Sequence, residues 1–366
     1  MAIERVVIKI GSNVLTRSDG MLDITRMSAI VDQVAVLRQN GIEVIMVSSG
    51  AVASGRGELR DINARSLDTL SARQLFSAVG QAKLINRYYE LFREHGIHCG
   101  QVLATKENFA RRGHYLNQQH CMAAMLAHGV IPIVNENDTV SVTELMFTDN
   151  DELSGLIASM MSADRLIILS NIDGLYTGAP DDPDSALIER LEPGQDPSLF
   201  ISASKSSLGR GGMVSKCRIA RRVAAEGIEV IIANGKRDNI LPALTGICDT
   251  PVPHTLFVAS DRPASGLKKW IAHSDAFAKG NITVNRGAAD ALRNGASLLA
   301  VGVESIEGDF DADDIVTVAA DRIVIAWGRV SEDSDNARAM IGKSGERPLI
   351  HADYIYVDTS VTSPKN

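Results

Sequence analysis

Two lysines and one aspartate in this 366-residue chain have the types and surroundings needed to move a phosphoryl group. Lys9 lies inside the apolar run Val6-Val7-Ile8-Lys9-Ile10, just before Gly11-Ser12-Asn13. Lys216 closes the stretch Gly209-Arg210-Gly211-Gly212-Met213-Val214-Ser215-Lys216, which leads into a helical pattern. Asp151 falls between them in sequence, at the helix start Asn150-Asp151-Glu152. A lysine within an apolar strand is costly to bury unless its ammonium meets an opposite charge. Glycines let backbone N–H groups approach a polyanion, and a helix N-terminus adds partial positive charge. The glycine order is not that of a Walker A loop. Phosphoryl transfer asks mainly for in-line positioning and for positive charge on the phosphoryl oxygens. Two lysines held apart by a carboxylate meet that need, the carboxylate fixing both ammonium groups without entering the reaction. The alternatives are a lysine snorkelling at a sheet edge and a glycine-rich surface turn. No Ser-His-Asp or Cys-His pattern competes, because the eight histidines are scattered and none follows a nucleophile elbow.

Four more segments carry polar residues where apolar runs end. Ser48-Ser49-Gly50-Ala51-Val52-Ala53-Ser54-Gly55 leaves room for a ligand against exposed N–H donors; a tight turn with Ser54 as helix N-cap is the alternative. Asn135-Glu136-Asn137-Asp138-Thr139 offers acceptors for an amine or a metal, or a solvated turn. Thr148-Asp149-Asn150-Asp151-Glu152 fits a helix start, where acidic residues are favourable in any case. Ser170-Asn171-Ile172-Asp173-Gly174-Leu175-Tyr176-Thr177 could pack an apolar and an aromatic residue on a nucleotide base, or place a tyrosine at the core edge.

The elements that must position these residues alternate. Short β-branched runs at 6–10, 43–47, 98–103, 130–134, 166–169 and 229–232 predict strands, and the patterns at 24–40, 68–94, 115–128, 150–161 and 214–226 predict helices. Continuous apolar strands separated by helices imply an α/β domain with a mostly parallel sheet covered on both faces. Ligands of such sheets bind at the carboxyl ends of the strands, where the polar segments fall. The texture changes after Pro251-Val252-Pro253. We read domain one as 1–256, a linker over 257–278 with a helical segment at 268–272, a small β-rich domain over 279–357 and a tail over 358–366. The second domain is expected to carry strands at 282–284, 297–299, 315–318, 323–326 and 355–357, with helices at 288–294 and 334–341.

Bulk composition excludes several classes. With 45% hydrophobic and 22% charged residues the chain has the make-up of a globular protein. Its net charge of −8 makes nucleic acid an unlikely main partner. Four dispersed cysteines without a CxxC pair argue against a disulfide framework or zinc site. The N-terminus has no signal-peptide pattern and no apolar run reaches the ~20 residues of a membrane span, so the expectation is a soluble, cytoplasmic, two-domain protein.

Residues 5–256 resemble the amino acid kinase family, and in particular its glutamate 5-kinase branch. The resemblance rests on Val7-Ile8-Lys9-Ile10-Gly11-Ser12, Ser48-Ser49-Gly50-Ala51-Val52, Asn135-Glu136-Asn137-Asp138, Asp149-Asn150-Asp151 with Leu153-Ser154, Gly174-Leu175-Tyr176 and Gly211-Gly212-Met213 with Lys216, in family order. The C-terminal module resembles a PUA domain. The resemblance implies a three-layer αβα sandwich and ATP-dependent phosphorylation of the L-glutamate γ-carboxylate, the first step of proline biosynthesis. It implies catalytic roles for Lys9, Lys216 and Asp151. ATP would contact Lys9, Gly11, Ser170, Asn171, Arg210, Gly211, Gly212, Met213, Val214, Ser215 and Lys216. Glutamate would contact Ser49, Gly50, Asp138 and Asn150, the last two reading its α-amino end. Mg2+ would ride on the nucleotide phosphates with no dedicated protein ligand. Proline as feedback inhibitor, a homo-oligomer (dimer or tetramer) and a glutamyl phosphate reductase receiving the product are implied too. Ser170-Asn171 replaces the Thr-Asp of many relatives, Arg210 replaces a threonine, and His254 stands where a glycine is common. Two other readings stay open: a family member acting on carbamate, aspartate, N-acetylglutamate or a nucleoside monophosphate, and an RNA-binding regulator working through the PUA-like module, which the acidic run Asp309, Asp311, Asp313 and Asp314 disfavours.

Overall fold

The computed structural model describes residues 3–61, 67–110, 112–140, 147, 150–195, 212–261, 271, 278–344 and 347–357. The chain divides into two compact units: Met1–Asn108 with Gly113–Pro263, and Phe109–Arg112 with Ala264–Asn366. The elements of the first half are β1 (Arg5–Ile10), α1 (Ser12–Leu15), α2 (Ile24–Gln39), β2 (Glu43–Ser48), α3 (Ala51–Glu58), α4 (Thr69–Glu94), β3 (Cys99–Ala104), α5 (Lys106–Ala110), α6 (Arg112–Ala127) and β4 (Ile131–Glu136). They continue with α7 (Asn150–Met160), β5 (Arg165–Ser170), β6 (Leu175–Tyr176), β7 (Leu187–Ile188), β8 (Arg190–Leu191), α8 (Met213–Ala225), β9 (Glu229–Asn234), α9 (Ile240–Leu244) and β10 (His254–Phe257).

The large sheet of this unit has the order β3-β4-β2-β1-β5-β9-β10-β8. β1 pairs in parallel with β2 and β5, and the parallel pairing continues outward to β4, β3 and β9. β10 runs antiparallel to β9. Both faces are covered, which is why the central strands read as unbroken apolar runs. Val6, Ile8 and Ile10 share one core with Met27, Ile30 and Val34 of α2 and with Leu84, Tyr88 and Phe92 of α4. Side chains alternate along a strand, so Lys9 is turned to the opposite face, where α7 packs on β1 and α8 on α7. Gly155 permits that approach: a Cβ there would stand 2.8 Å from the Ile219 side chain.

The expected α/β architecture is present, and the differences are local. β4 runs on through Asn135 and Glu136, which are therefore strand residues and not turn residues. Ser54 does not cap a helix; α3 already starts at Ala51, after Gly50 in the left-handed region at φ 109°. The helical segment expected at 268–272 lies outside the described residues except for Ile271.

The second unit carries β11 (Gly280–Val284), α10 (Arg286–Arg293), β12 (Val303–Gly308), β13 (Ile315–Ala320), β14 (Ile323–Arg329), α11 (Ser334–Met340) and β15 (Ile355–Val357). Its sheet order is β12-β11-β13-β14-β15, with β11 and β13 parallel and the other pairs antiparallel. Ile282, Val284, Leu292, Val316, Val318, Ala326 and Ile350 belong to a core of its own. The strand expected at 297–299 is absent: Leu298 makes one isolated bridge to Ile350, and the true strand is β12. Glu304, Ser305 and Glu307 point to solvent from that edge strand, a charged edge that hides a strand from apolar patterning.

Candidate active site

The carboxyl ends of four adjacent parallel strands bring the polar segments together. Register sets Ile10 of β1 beside Ser48 of β2 and beside Leu169 of β5, and Ser170 beside Asn234 of β9. Ser49 N donates to Ile10 O at 3.2 Å and Gly11 N donates to Leu169 O at 3.2 Å, so the Ser49 turn and Gly11 extend one edge. Gly11 has room for little else: a Cβ would lie 3.1 Å from Leu169 O and 3.5 Å from Lys9 Nζ.

On the α7/α8 face, Lys9, Asp151 and Lys216 form one buried unit. Lys9 Nζ lies 2.5 Å from Asp151 Oδ1, and Lys216 Nζ lies 2.9 Å from Asp151 Oδ2. Asp151 is fully buried, and both lysine side chains are nearly so. Burial opposes its charge, but the two ammonium groups outweigh burial and hold the carboxyl below the usual carboxylate range. The unit thus presents a surplus positive charge. Lys216 sits in the first turn of α8, whose cap residue Gly212 is extended and has no side chain to cap the exposed N–H groups. That end suits an anion, in line with the helix dipole. Cys217 next door is no nucleophile, since burial pushes its thiol up to about 12.

Asn150, the neighbour of Asp151, faces the other way. Its Nδ2 donates to Ser49 Oγ at 2.9 Å and to Asn135 Oδ1 at 3.0 Å. Ser48 Oγ and the Tyr88 hydroxyl lie 2.7 Å apart beneath the same turn. Asp138, past the end of β4, accepts from Ser77 Oγ at 2.9 Å and pairs with Arg73 at 2.5 Å. Arg73 Nη2 also donates to Glu136 Oε2 at 2.8 Å. Burial, then the nearby Asp138, raise the Glu136 carboxyl to about 7 against the pull of Arg73. The site therefore has a cationic compartment on one side of the α7 start and an acidic, amide-rich one on the other.

The expected residues divide accordingly. Lys9 and Lys216 each touch Asp151; Ser49 and Asn150 touch; Gly50 sits at the head of α3. Ser170 closes β5, its carbonyl accepting from Gly235 N at 2.9 Å, and Asn171 follows it. Met213, Val214 and Ser215 form the α8 first turn, with Val214 exposed. Arg210 and Gly211 lie outside the described residues. Arg73, Ser77, Gln81 and Tyr88 were not anticipated. Their signal is a polar stripe at four-residue spacing, 73, 77 and 81, on the face of α4 that continues into buried Leu84 and Tyr88.

The chain belongs to the amino acid kinase family, whose model matches residues 4–234, and a PUA domain model matches residues 280–349. Within that family, it is 60% identical over 358 residues to the glutamate 5-kinase of Bacteroides thetaiotaomicron, covering 97% of this chain and 98% of that protein. It is 44% identical over 359 residues to the glutamate 5-kinase of Chlorobaculum tepidum, covering 96% and 97%. Among solved structures, a carbamate kinase from Giardia lamblia bound to AMP-PNP superposes with a TM-score of 0.52 at 16% identity, covering 71% of this chain and 99% of that one. A UMP kinase from Ureaplasma parvum gives a TM-score of 0.50 at 13% identity, covering 70% and 100%. These two likenesses concern the fold.

Proposed function

We propose that the chain transfers the γ-phosphoryl group of ATP to the γ-carboxylate of L-glutamate. The observation that carries this reading is that Asn150 and Asp151, consecutive in α7, serve two compartments: Asp151 holds Lys9 and Lys216, while Asn150 joins the Ser49 turn. A substrate spanning them would bring its far carboxylate to the lysines.

Lys9, Gly11, Ser170, Asn171 and the first turn of α8 line the nucleotide side, and Ser49, Gly50, Asn150 and Asp138 the glutamate side. A γ-carboxylate oxygen attacks the γ-phosphorus, the bond to the β,γ-bridging oxygen breaks, and ADP leaves. The attacking carboxylate is ionised at neutral pH, so no general base is required. The lysines stabilise charge on the transferring group and on the leaving oxygen. Asp151 already has an ammonium on each oxygen, which fits Mg2+ carried on the phosphates and not in a protein cage; bound there, it neutralises phosphate charge. The acyl phosphate formed is labile in water and suits transfer to a reductase on the way to proline. By family likeness, proline is the feedback inhibitor of a cytoplasmic homo-oligomer.

ADP release measured with glutamate, aspartate, N-acetylglutamate, carbamate and UMP as acceptors tests the assignment. Turnover is expected with glutamate, and turnover with carbamate or UMP but not glutamate would refute it.

A further inference from the structure

We infer that Gln81 reads the α-carboxylate of the amino-acid substrate through its Nε2 donor. This rests on the glutamate reading above. Three side-chain amides form a relay: Asn150 Nδ2 donates to Asn135 Oδ1 at 3.0 Å, and Asn135 Nδ2 donates to Gln81 Oε1 at 2.8 Å. The network fixes which end of each amide is which. Turning Gln81 over would set its NH2 against the NH2 of Asn135. The relay therefore ends on a donor.

Gln81 is 7% exposed, and among the described residues its Nε2 has no hydrogen-bond partner. A buried amide donor is costly to leave unmade and calls for an acceptor. Gln81 is one of the residues around a cavity of about 230 Å³, together with Ser77, Gln101, Glu136, Asp138 and Thr139. That is smaller than the ~300–1,000 Å³ of drug-sized sites and suits a small metabolite. An α-amino acid presents a cation and an anion on one carbon. Asp138 offers that carbon's ammonium an acceptor, and Gln81 offers its carboxylate a donor. A neutral amide does this without adding a second cation beside Arg73, which already serves Glu136 and Asp138.

The test compares L-glutamate with its α-carboxamide, which keeps the γ-carboxylate and the ammonium. The wild-type enzyme should favour glutamate in kcat/KM by roughly 10- to 100-fold, the worth of one hydrogen bond to a charged group. Gln81→Glu still accepts from Asn135 but repels the α-carboxylate and accepts from the amide, so the ratio should fall to about one or below. Gln81→Met should bring it near one. Wild-type enzyme that uses both compounds equally overturns the inference, whether or not the variants fold. Variants that lose activity equally on both compounds and keep the ratio also overturn it, since that is the mark of a merely structural residue. Turnover of neither compound by the wild type would sink the glutamate reading and this inference with it.

Discussion

Lys9 and Lys216, from the first strand and from a helix much later in the chain, bind opposite oxygens of the single carboxylate of Asp151, at 2.5 and 2.9 Å. Two buried ammonium groups this close would repel each other strongly without it. The carboxylate holds them apart at a fixed spacing and leaves one net positive charge, which in the proposed reaction meets the phosphoryl group. Preorganised charge of this kind needs no rearrangement when the transition state forms.

Removing one arm should act on the chemical step. Lys216→Ala is expected to lower kcat by roughly 10²- to 10³-fold, the usual cost of a lost transition-state donor, with KM for glutamate changed only a few-fold. Steady-state kinetics at saturating ATP read both. An unchanged kcat would remove Lys216 from the mechanism.

Asp151→Asn should act on stability as well. It strands two buried cations, and losing one partner of a buried pair costs about 3–5 kcal/mol. The folded carboxyl lies below its ordinary range, so its contribution is present above the unfolded value of about 3.9 and is lost as pH falls through the folded one. Urea unfolding should show the full deficit at neutral pH and a shrinking one below about pH 4. A deficit independent of pH would contradict the charge account.

Glu136 has the opposite sign. Its folded pKa of about 7 exceeds the unfolded value of about 4.3. The folded chain binds that proton more tightly, so its stabilising contribution is complete below about pH 4.3 and is lost as pH rises towards 7. Glu136→Gln keeps the shape of the protonated form and removes the titration. The Tm of the wild type, measured from about pH 5 to 7.5, should fall relative to that of the variant. Parallel Tm curves would show that Glu136 is ionised throughout.

The Ser49 turn depends on two helices that touch backbone to backbone. A Cβ on Gly80 would sit 1.8 Å from Ala51 O, and one on Gly55 would sit 1.8 Å from Phe76 O. Gly80→Ala must push α3 away from α4, with an expected loss of about 1–3 kcal/mol and a raised KM for glutamate. Gly113→Ala, where a Cβ meets nothing within 4 Å, is the control and should be neutral or stabilising. Equal melting temperatures for the two variants would contradict the packing argument.

The sheet and the cationic compartment were legible in the sequence because each has a local signature. Apolar runs mark strands buried on both faces, and a lysine inside such a run advertises a partner. The acidic compartment was less so. Asn135 and Glu136 look like turn residues because polar types inside a buried strand are rare, and only the α4 side chains opposite them explain their place. Arg73, Ser77 and Gln81 are ordinary on a helix surface; only the fold brings them to Glu136, Asp138 and Asn135 at the end of β4. α3 escaped notice because its Ala, Ser and Gly residues are chosen for closeness to α4 and carry little helical patterning.

The most direct test of the central claim is to trap the product. Incubated with ATP, Mg2+, L-glutamate and hydroxylamine, the enzyme should form the γ-hydroxamate of glutamate in step with ADP, and Lys216→Ala should lower both by the same factor. ADP release without hydroxamate, or hydroxamate from another acid in preference to glutamate, would contradict phosphoryl transfer to the glutamate side chain.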